Sequence, residues 1–216
     1  MTRQLKERLS IGGCLVIILV CFWWIYSTQV RSVQHNVALH RRIGEVLAEQ
    51  TARLVSPKGQ IVTIAIDTKQ WPELQTQLST FKAKLKSLGE YQIHEYLLDT
   101  KDQPKYGVGT GLSSRRFVRT IKKNPQADLF VSFIGAPKLD ANDLADLRKK
   151  PKFIAESRSG DNLPGLFECG LIQVAVVSRF QFPAPGPDKP RTAEEWFEKR
   201  YQIVTPDTAP RQASSE

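Results

Sequence analysis

The longest unbroken apolar stretch lies near the start of the chain, where no charged residue occurs between Arg8 and Arg31. At about 1.5 Å per residue, the segment from Leu9 to Val30 is about 33 Å long, enough to cross a hydrocarbon core of roughly 30 Å. Two tryptophans and a tyrosine cluster near its far end, where amphipathic rings prefer the headgroup level. The pattern predicts one transmembrane helix at residues 9–30, after a short basic tail at residues 1–8.

A cleaved signal peptide is the alternative interpretation of this segment. It requires a shorter apolar core followed by small residues, whereas bulky aromatic residues stand there. Basic residues are nearly balanced on the two sides of the segment, and a short basic tail usually stays in the cytoplasm. We therefore expect a single-pass protein of the inner (plasma) membrane, with a cytoplasmic N-terminus and an extracytoplasmic domain.

A looser apolar stripe continues through residues 31–56 at helical spacing, until Ser56 and Pro57 interrupt it. This stripe predicts a juxtamembrane helix. One interpretation is a helix that packs on its own domain. The other is a stalk that joins two copies or a protein partner, although the coiled-coil register breaks at His40 and Gly44. The sequence leaves both open.

Strand and helix patterns then alternate through residues 57–205. The predicted strands are Gln60–Ile66, Tyr91–Leu98, Asp128–Ile134, Phe153–Glu156, Leu171–Val177 and the edge strand Tyr201–Val204; the predicted helices are Pro72–Leu88, Ser113–Lys123, Ala141–Lys149 and a short one capped by Thr192. This order predicts an α/β domain with a single Rossmann-like parallel sheet and helices on both faces. The polar residues 206–216 predict a disordered tail.

Net charge and cysteine content limit the partners and the cross-links that the chain can form. The net charge is +9, and the surplus of Lys and Arg is shared between the first 56 residues (7 against 3 acidic) and the rest (24 against 19). The excess therefore marks no nucleic-acid-binding face, but it favours attraction to membrane lipid. Only Cys169 lies in the domain, so an internal disulfide is impossible, and we expect that residue to pack as a small apolar side chain.

Candidate ligand-binding residues follow the predicted strands, because open parallel sheets bind ligands beyond the carboxyl ends of their strands. They are Asp67, Thr68, Gly135, Ala136, Pro137, Glu156 and Ser157. For Asp67, the alternative is a carboxylate that caps a turn or helix. A deep polar pocket joining Asp67, Glu156 and Arg179 would favour an enzyme or a solute receptor, and a shallow apolar groove would favour a scaffold.

Glycines also precede a basic helix, where Gly109 and Gly111 come before Arg115. Such a loop can hold phosphate at a helix N-terminus, but it follows the second strand and lacks both known phosphate-loop spacings, so a flexible loop is the expected structure. The three histidines have no metal-ligand spacing, and no nucleophile motif occurs. The sequence predicts no metal, no cofactor and no catalytic residue.

Three segments carry a family resemblance: Ile93-His-Glu-Tyr-Leu97 with Asp102-Gln-Pro104, then Ala127 to Pro137, then Pro151-Lys-Phe-Ile-Ala155. From Ile61 to Val177 the chain resembles one lobe of the type I periplasmic binding proteins, in particular the substrate-binding proteins of ABC transporters. The resemblance implies that Gly135, Ala136 and Pro137 approach a ligand. Members of that family clamp ligand between two lobes, and this chain is long enough for one.

These observations lead to a working hypothesis about function. We expect a membrane-anchored α/β domain that acts as a binding or scaffolding module and takes a protein partner or a small solute. The alternative is a membrane-tethered enzyme that uses Asp67 and the Gly135 loop at the carboxyl ends of the strands. A larger membrane assembly, contacted through the juxtamembrane helix, is a third possibility.

Overall fold

The structure is a computed structural model, which describes residues 3–25, 36–98, 112–145, 147, 150–157, 163–179 and 190–209. The chain divides into two units, with the boundary between Asn36 and Val37. The described part of the first unit is one helix, α1 (Arg3–Ile25). The second unit contains a sheet with its helices.

α1 exposes its large apolar side chains. From Leu15 to Ile25 they are between 48 and 71% exposed, with Trp23 at the upper end. Among the residues that the structure describes, no helix combines the length and the apolar character needed to cross a bilayer. The transmembrane helix predicted at residues 9–30 is therefore not found, and residues 26–30 of that prediction lie outside the described part.

The second unit is built on a mainly parallel sheet. Its strands run β1 (Gln60–Ile66), β2 (Gln92–Leu98), β3 (Leu112–Ser113), β4 (Leu129–Ser132), β5 (Pro137–Lys138), β6 (Lys152–Ser157), β7 (Ile172–Ser178) and β8 (Tyr201–Val204). Six of them form one sheet in the order β2-β1-β4-β6-β7-β8, in which β8 alone is antiparallel. β3 and β5 pair separately. The predicted α/β class with a parallel sheet is confirmed.

Helices cover this sheet: α2 (Val37–Leu54), α3 (Pro72–Leu88), α4 (Ser114–Lys123), α5 (Ala141–Ala145), α6 (Leu163–Glu168) and α7 (Ala193–Arg200). The chain runs from β1 through α3 to β2, which lies on one side of β1. It then runs from β2 through α4 to β4, which lies on the other side of β1. Right-handed crossovers that run in opposite directions along a sheet place their helices on opposite faces. α2 packs beside α3 and α7, so these three share one face.

α2 is the helix that closes that face. Leu39, Ile43, Val46 and Leu47 are buried along its inner side. Gly44 lies where α2 crosses α3, so close that a Cβ there would come within 2.4 Å of the Gln77 carbonyl oxygen. Of the two interpretations of the juxtamembrane helix, the described residues 37–54 therefore show the helix that packs on its own domain. Its apolar stripe does not form the exposed stalk.

Aromatic rings fill the two layers between sheet and helices. Phe81 of α3 meets Phe133 edge to face at 5.4 Å, and Phe117 of α4 meets Phe153 of β6 at 5.0 Å. All four rings are almost completely buried. Edge-to-face contacts of this kind add to the burial of apolar area, so each main helix is held by an aromatic anchor.

Several element boundaries differ from the prediction. β4 ends at Ser132 rather than at residue 134, because the chain turns there. α5 ends at Ala145 rather than at Lys149, and the backbone N–H of Leu147 donates to Leu144 in a tighter turn. A one-turn 3-10 helix at Thr68–Gln70, the short pair β3–β5 and the six-residue α6 were not predicted.

The close crossing at Gly44 gives a testable prediction. In Gly44→Ala the new methyl meets backbone atoms of α3, which cannot swing away, so the helices must separate. We expect a loss of about 1–3 kcal/mol in the free energy of unfolding, more than the gain of roughly 1 kcal/mol from helix propensity. Urea unfolding followed by circular dichroism measures it. Gly165→Ala is the control, since no atom lies within 4 Å of its Cβ position; equal midpoints for the two variants would contradict the packing.

Candidate functional site

The first candidate residues follow β1, which lies between the edge strand β2 and β4. The chain leaves β1 towards β2 on one side, and β4 lies on the other, so the carboxyl ends of β1 and β4 flank the point where the strand order reverses. Asp67 is half-buried there, and its Oδ1 accepts a hydrogen bond from the Lys69 N–H at 3.1 Å. Asp67 therefore caps the 3-10 turn that contains Thr68. Asp67 therefore has the capping role that the sequence analysis gave as the alternative to ligand binding.

The second group follows β4 and forms a tight turn. The Ser132 hydroxyl donates to the Gly135 carbonyl oxygen at 2.7 Å and accepts from the Ile134 N–H at 3.3 Å. Gly135 has a φ of 104°, in the region that side chains disfavour, which explains a glycine here. All three residues are buried. The turn holds the backbone at the switch point in one conformation.

Ala136 and Pro137 lead from this turn into the small second sheet. Ala136 is half-buried, and Pro137 begins β5, where it lies opposite Leu112 of β3. Proline has no N–H to donate, which suits a strand of two residues. Pro137 is thus held by pairing with the segment that precedes α4, and Ala136 packs against the core.

The third group lies at the end of β6. Glu156 and Ser157 are each 5% exposed, and Glu156 lies opposite Val176 of β7. A carboxylate this buried must be hydrogen-bonded or paired, and Glu156 does have such a contact within the structure. It is the most enclosed charged group among the candidates.

A small cavity of about 20 Å³ adjoins Glu156 at this edge of the sheet. Its described lining consists of His40, Ile66, Trp71, Glu73, Leu74, Gln77, Phe133, Glu156 and Tyr201. A volume of this size holds about one water molecule. The cavity is too small for a solute, although its walls are polar on several sides.

Of these wall residues, sequence reasoning had selected Glu156 alone; the polar or aromatic ones that it missed include His40, Trp71, Gln77 and Tyr201. The Nδ1 of His40 and the Nε2 of Gln77 lie 3.0 Å apart, which joins the first turns of α2 and the middle of α3. The wall residues come from α2, the segment after β1, α3 and the start of β8. No spacing in the sequence connects them, so only the fold brings them together.

Arg42, two residues beyond His40, ties α2 to α7. It bonds to Glu45 and Glu49 on its own helix at 3.4 and 3.3 Å, and to Glu194 on α7. Burial lowers the pKa of Arg42, but the bonds to Glu194 and the charge of Glu49 outweigh burial, so this pKa is raised. A raised pKa on a cation stabilises the fold at every pH below the value in the unfolded chain, so Arg42 adds no pH dependence near neutrality.

The candidate residues do not converge on the cavity. Of those predicted, Glu156 is in its described lining, while Asp67 and the Gly135 turn are not. Arg179 is exposed, and its backbone N–H donates to the Arg200 carbonyl oxygen at 2.7 Å. Among the described residues, Asp67, Glu156 and Arg179 therefore line no common deep pocket.

Of the glycine-rich loop and the basic helix that follows it, the structure describes the helix. Gly109 and Gly111 lie outside the described residues. Arg115 is described and lies exposed in the first turn of α4, and the side chain of Ser113 makes no capping hydrogen bond to that turn. Within the described part of the chain, no group of His, Cys, Asp and Glu side chains forms a metal site.

A larger groove, about 1090 Å³ in volume, lies at the opposite, amino-terminal ends of the strands. Its polar groups already serve the fold. Lys152 donates to the Leu54 carbonyl oxygen at the end of α2, Lys150 donates to the Cys169 carbonyl oxygen, and Asp128 accepts from the Gln60 N–H. Lys150 and Lys152 thus neutralise the carboxyl ends of α6 and α2 rather than remain available for a ligand.

Comparison with known proteins identifies the fold. The sequence matches no protein-family model, and a comparison with characterised proteins also finds no match. Solved structures do match. GanP, a glucose-galactose binding protein from Geobacillus stearothermophilus, superposes with a TM-score of 0.52 at 14% identity, over 79% of this chain and 61% of GanP. A chain of the XylFII-LytSN complex gives 0.50 at 11% identity, over the same shares.

These likenesses establish the class of fold. The second unit has the fold of one lobe of a type I periplasmic binding protein, as the sequence resemblance predicted. The matching structures also include a LacI-type transcriptional regulator from Bacteroides fragilis, with a TM-score of 0.46 at 14% identity over 64% of this chain and 47% of that one. The chain spans about two-fifths to three-fifths of the length of the structures it matches.

The Ser132 turn supplies a prediction at the site itself. In Ser132→Ala the buried Ile134 N–H and Gly135 carbonyl oxygen both lose their partner, and we expect a cost of about 1–3 kcal/mol in the free energy of unfolding. Urea denaturation measures this free energy, and amide hydrogen exchange at residues 133–136 measures how often the turn opens. Ser79→Ala is the control, because the exposed Ser79 hydroxyl donates only to a carbonyl on its own helix. Unchanged exchange in Ser132→Ala would show that the hydroxyl does not hold the turn.

Proposed function

We propose that this protein is a membrane-anchored binding module, whose single α/β lobe presents the carboxyl edge of its sheet to another protein chain. One observation carries the proposal. The cavity at that edge holds about 20 Å³, whereas pockets that enclose small ligands measure about 300–1,000 Å³. Among the described residues, this cavity does not enclose a solute.

The described turns at this edge are nevertheless held in place. Asp67 caps the turn after β1, Ser132 fixes the turn after β4, and Pro137 is held by pairing with β3. Rigid loops at a sheet edge lose little conformational entropy when they bind. A partner surface, from a second copy or from a different protein, would complete the site, and a small solute held between the two chains fits the same arrangement.

The proposed anchor is the segment from Leu9 to Val30. Two features support it. The sequence has no charge between Arg8 and Arg31, and the large apolar side chains of α1 are exposed. Each large apolar side chain left in water forgoes roughly 1.5–3 kcal/mol, so these exposed side chains favour an apolar environment. We further propose that the N-terminus is cytoplasmic and the domain extracytoplasmic.

The anchor is tested with the full-length protein in membranes washed with alkaline carbonate. We expect the protein to stay in the pellet and the double variant Ile17→Arg, Leu19→Arg to move to the supernatant, since each arginine costs about 2.5–3.5 kcal/mol at the centre of a membrane helix. Leu88→Arg, at an exposed leucine of the domain, is the control and should stay in the pellet. Recovery of the unmodified protein in the aqueous fraction without detergent would exclude the anchor.

The partner surface is tested by site-specific photo-crosslinking in native membranes. A benzophenone amino acid replaces the exposed Lys69 beside Asp67, or the exposed Gln126 at the other end of the strands. We expect a discrete adduct from position 69 and none from position 126, and its mass distinguishes a second copy from another protein. If neither position yields an adduct, or both yield the same one, the carboxyl edge is not the contact surface.

A further inference from the structure

Helix α7 and strand β8 are joined to each other by contacts of their own. The Phe197 ring of α7 stacks on the Tyr201 ring at the start of β8, with the ring centres 5.9 Å apart. The Tyr201 N–H donates to the Phe197 carbonyl oxygen, so the strand begins directly where the helix ends. At the start of α7, the Thr192 hydroxyl accepts from the Glu195 N–H, and the Glu195 carboxylate accepts from the Arg191 N–H. We call residues 191–204 the strap.

Ionic contacts join the strap to α2. Arg42 of α2 bonds to Glu194 in the first turn of α7, and the side chain of Glu194 is 51% exposed. An ion pair this accessible to water contributes little to stability. Arg42 also bonds to Glu45 and Glu49, so its guanidinium keeps carboxylate partners on α2 when Glu194 moves away. The contact between α2 and the strap can therefore break without leaving the Arg42 charge unpaired.

Backbone pairing joins the strap to the sheet. β8 lies at one end of the six-stranded sheet, is antiparallel to β7 and pairs with it through four residues. Within the strap, Phe197 and Val204 are the buried apolar side chains, whereas Ile203 is 38% exposed. A segment at a sheet edge with few buried side chains opens at a lower free energy than the core strands do.

The strap also forms a wall of the cavity beside Glu156. Glu156 lies opposite Val176 of β7, and Val176 lies opposite Ile203 of β8, so these three side chains leave the sheet on the same face. Tyr201, two residues before Ile203, leaves β8 on that face as well, and both Tyr201 and Glu156 are in the described lining of the cavity. Movement of the strap away from β7 would remove this wall and expose the Val176 side chain, which is completely buried.

We propose that the strap opens as one unit from a sheet that stays folded, and that its opening gives solvent access to Glu156 at the carboxyl edge. The contacts between α7 and β8 keep the strap together, while the Arg42–Glu194 ion pair and the short β7–β8 pairing hold it closed. The domain then has two states, which differ in whether Glu156 reaches the surface. The opening depends neither on the proposed partner nor on the proposed anchor.

Native-state amide hydrogen exchange of the full-length chain at low urea concentrations tests this opening. We expect the amides of α7 and β8 to share one free energy of opening and one urea dependence, both smaller than those of β1 and β4. Glu194→Gln should speed exchange in the strap by about two- to fivefold, the effect of losing an exposed ion pair. Glu198→Gln, at an exposed carboxylate one turn further along α7, is the control and should leave exchange unchanged. In a double-mutant cycle, Arg42→Gln should add little to the effect of Glu194→Gln.

Thiol labelling tests access on the cavity side. The probe is Val176→Cys in a full-length chain whose Cys14, Cys21 and Cys169 are replaced by alanine. Its labelling rate should rise with Glu194→Gln by the same factor as the exchange of the β8 amides, and should not change with Glu198→Gln. If labelling requires global unfolding, opening of the strap does not uncover this side of the sheet, and the proposal is wrong.

The exchange data decide the proposal even if Val176→Cys fails to fold. Strap amides that exchange with the free energy and urea dependence of β1 would show that the strap opens only when the whole domain unfolds. Different urea dependences for α7 and β8 would show that the two do not move as one unit. Either result overturns the proposal, whereas the absence of a crosslinked partner at position 69 bears only on the proposed function.

Discussion

The burial of α2 against the sheet is the constraint on which the rest of the domain depends. A parallel sheet must be covered on both faces, and here the helix that precedes the first strand covers one of them beside α3 and α7. Ile43 and Leu47 are completely buried, and Gly44 allows α2 to approach the backbone of α3. Each large buried side chain contributes about 1.5–3 kcal/mol, so without α2 the sheet would expose much of its core. His40 of α2 also forms part of the wall of the cavity at the carboxyl edge, so the position of α2 shapes that cavity.

The sequence predicted the helices and strands whose hydrophobic pattern is long and continuous. β1 was predicted with its observed bounds because Gln60–Ile66 is an apolar, β-branched run, and α3 because Pro72 and Gly89 mark its ends. The two-residue strands β3 and β5 are too short for any periodicity to show. α6 was missed for a similar reason, since its six residues include a proline and a glycine. β4 was predicted too long, because a serine side chain bonding to the next turn is not visible in a hydrophobic pattern.

The residues of the candidate site could be predicted only where they stand at the end of a predicted strand. Glu156 was found because it follows a buried strand, and its enclosure agrees with a place at the edge of the sheet. Asp67 was found for the same reason, but its carboxylate caps a turn. Trp71 and Tyr201 reach the cavity from segments far apart in the chain, and their positions depend on where β8 adds to the sheet. Such convergence is a property of the tertiary structure, which no local pattern encodes.

The strand order also affects how the domain forms during synthesis. β1 pairs with β4 as well as with β2, and the bond from the Gln60 N–H to the Asp128 carboxylate spans 68 residues. Contacts this distant in sequence are slow to form, because the intervening chain must first close a long loop. While the ribosome is still translating that loop, the apolar faces of α2 and β1 have no complete partner. A nascent chain of this protein therefore passes through a stage in which β1 is synthesised but not yet enclosed, when chaperone binding protects it most.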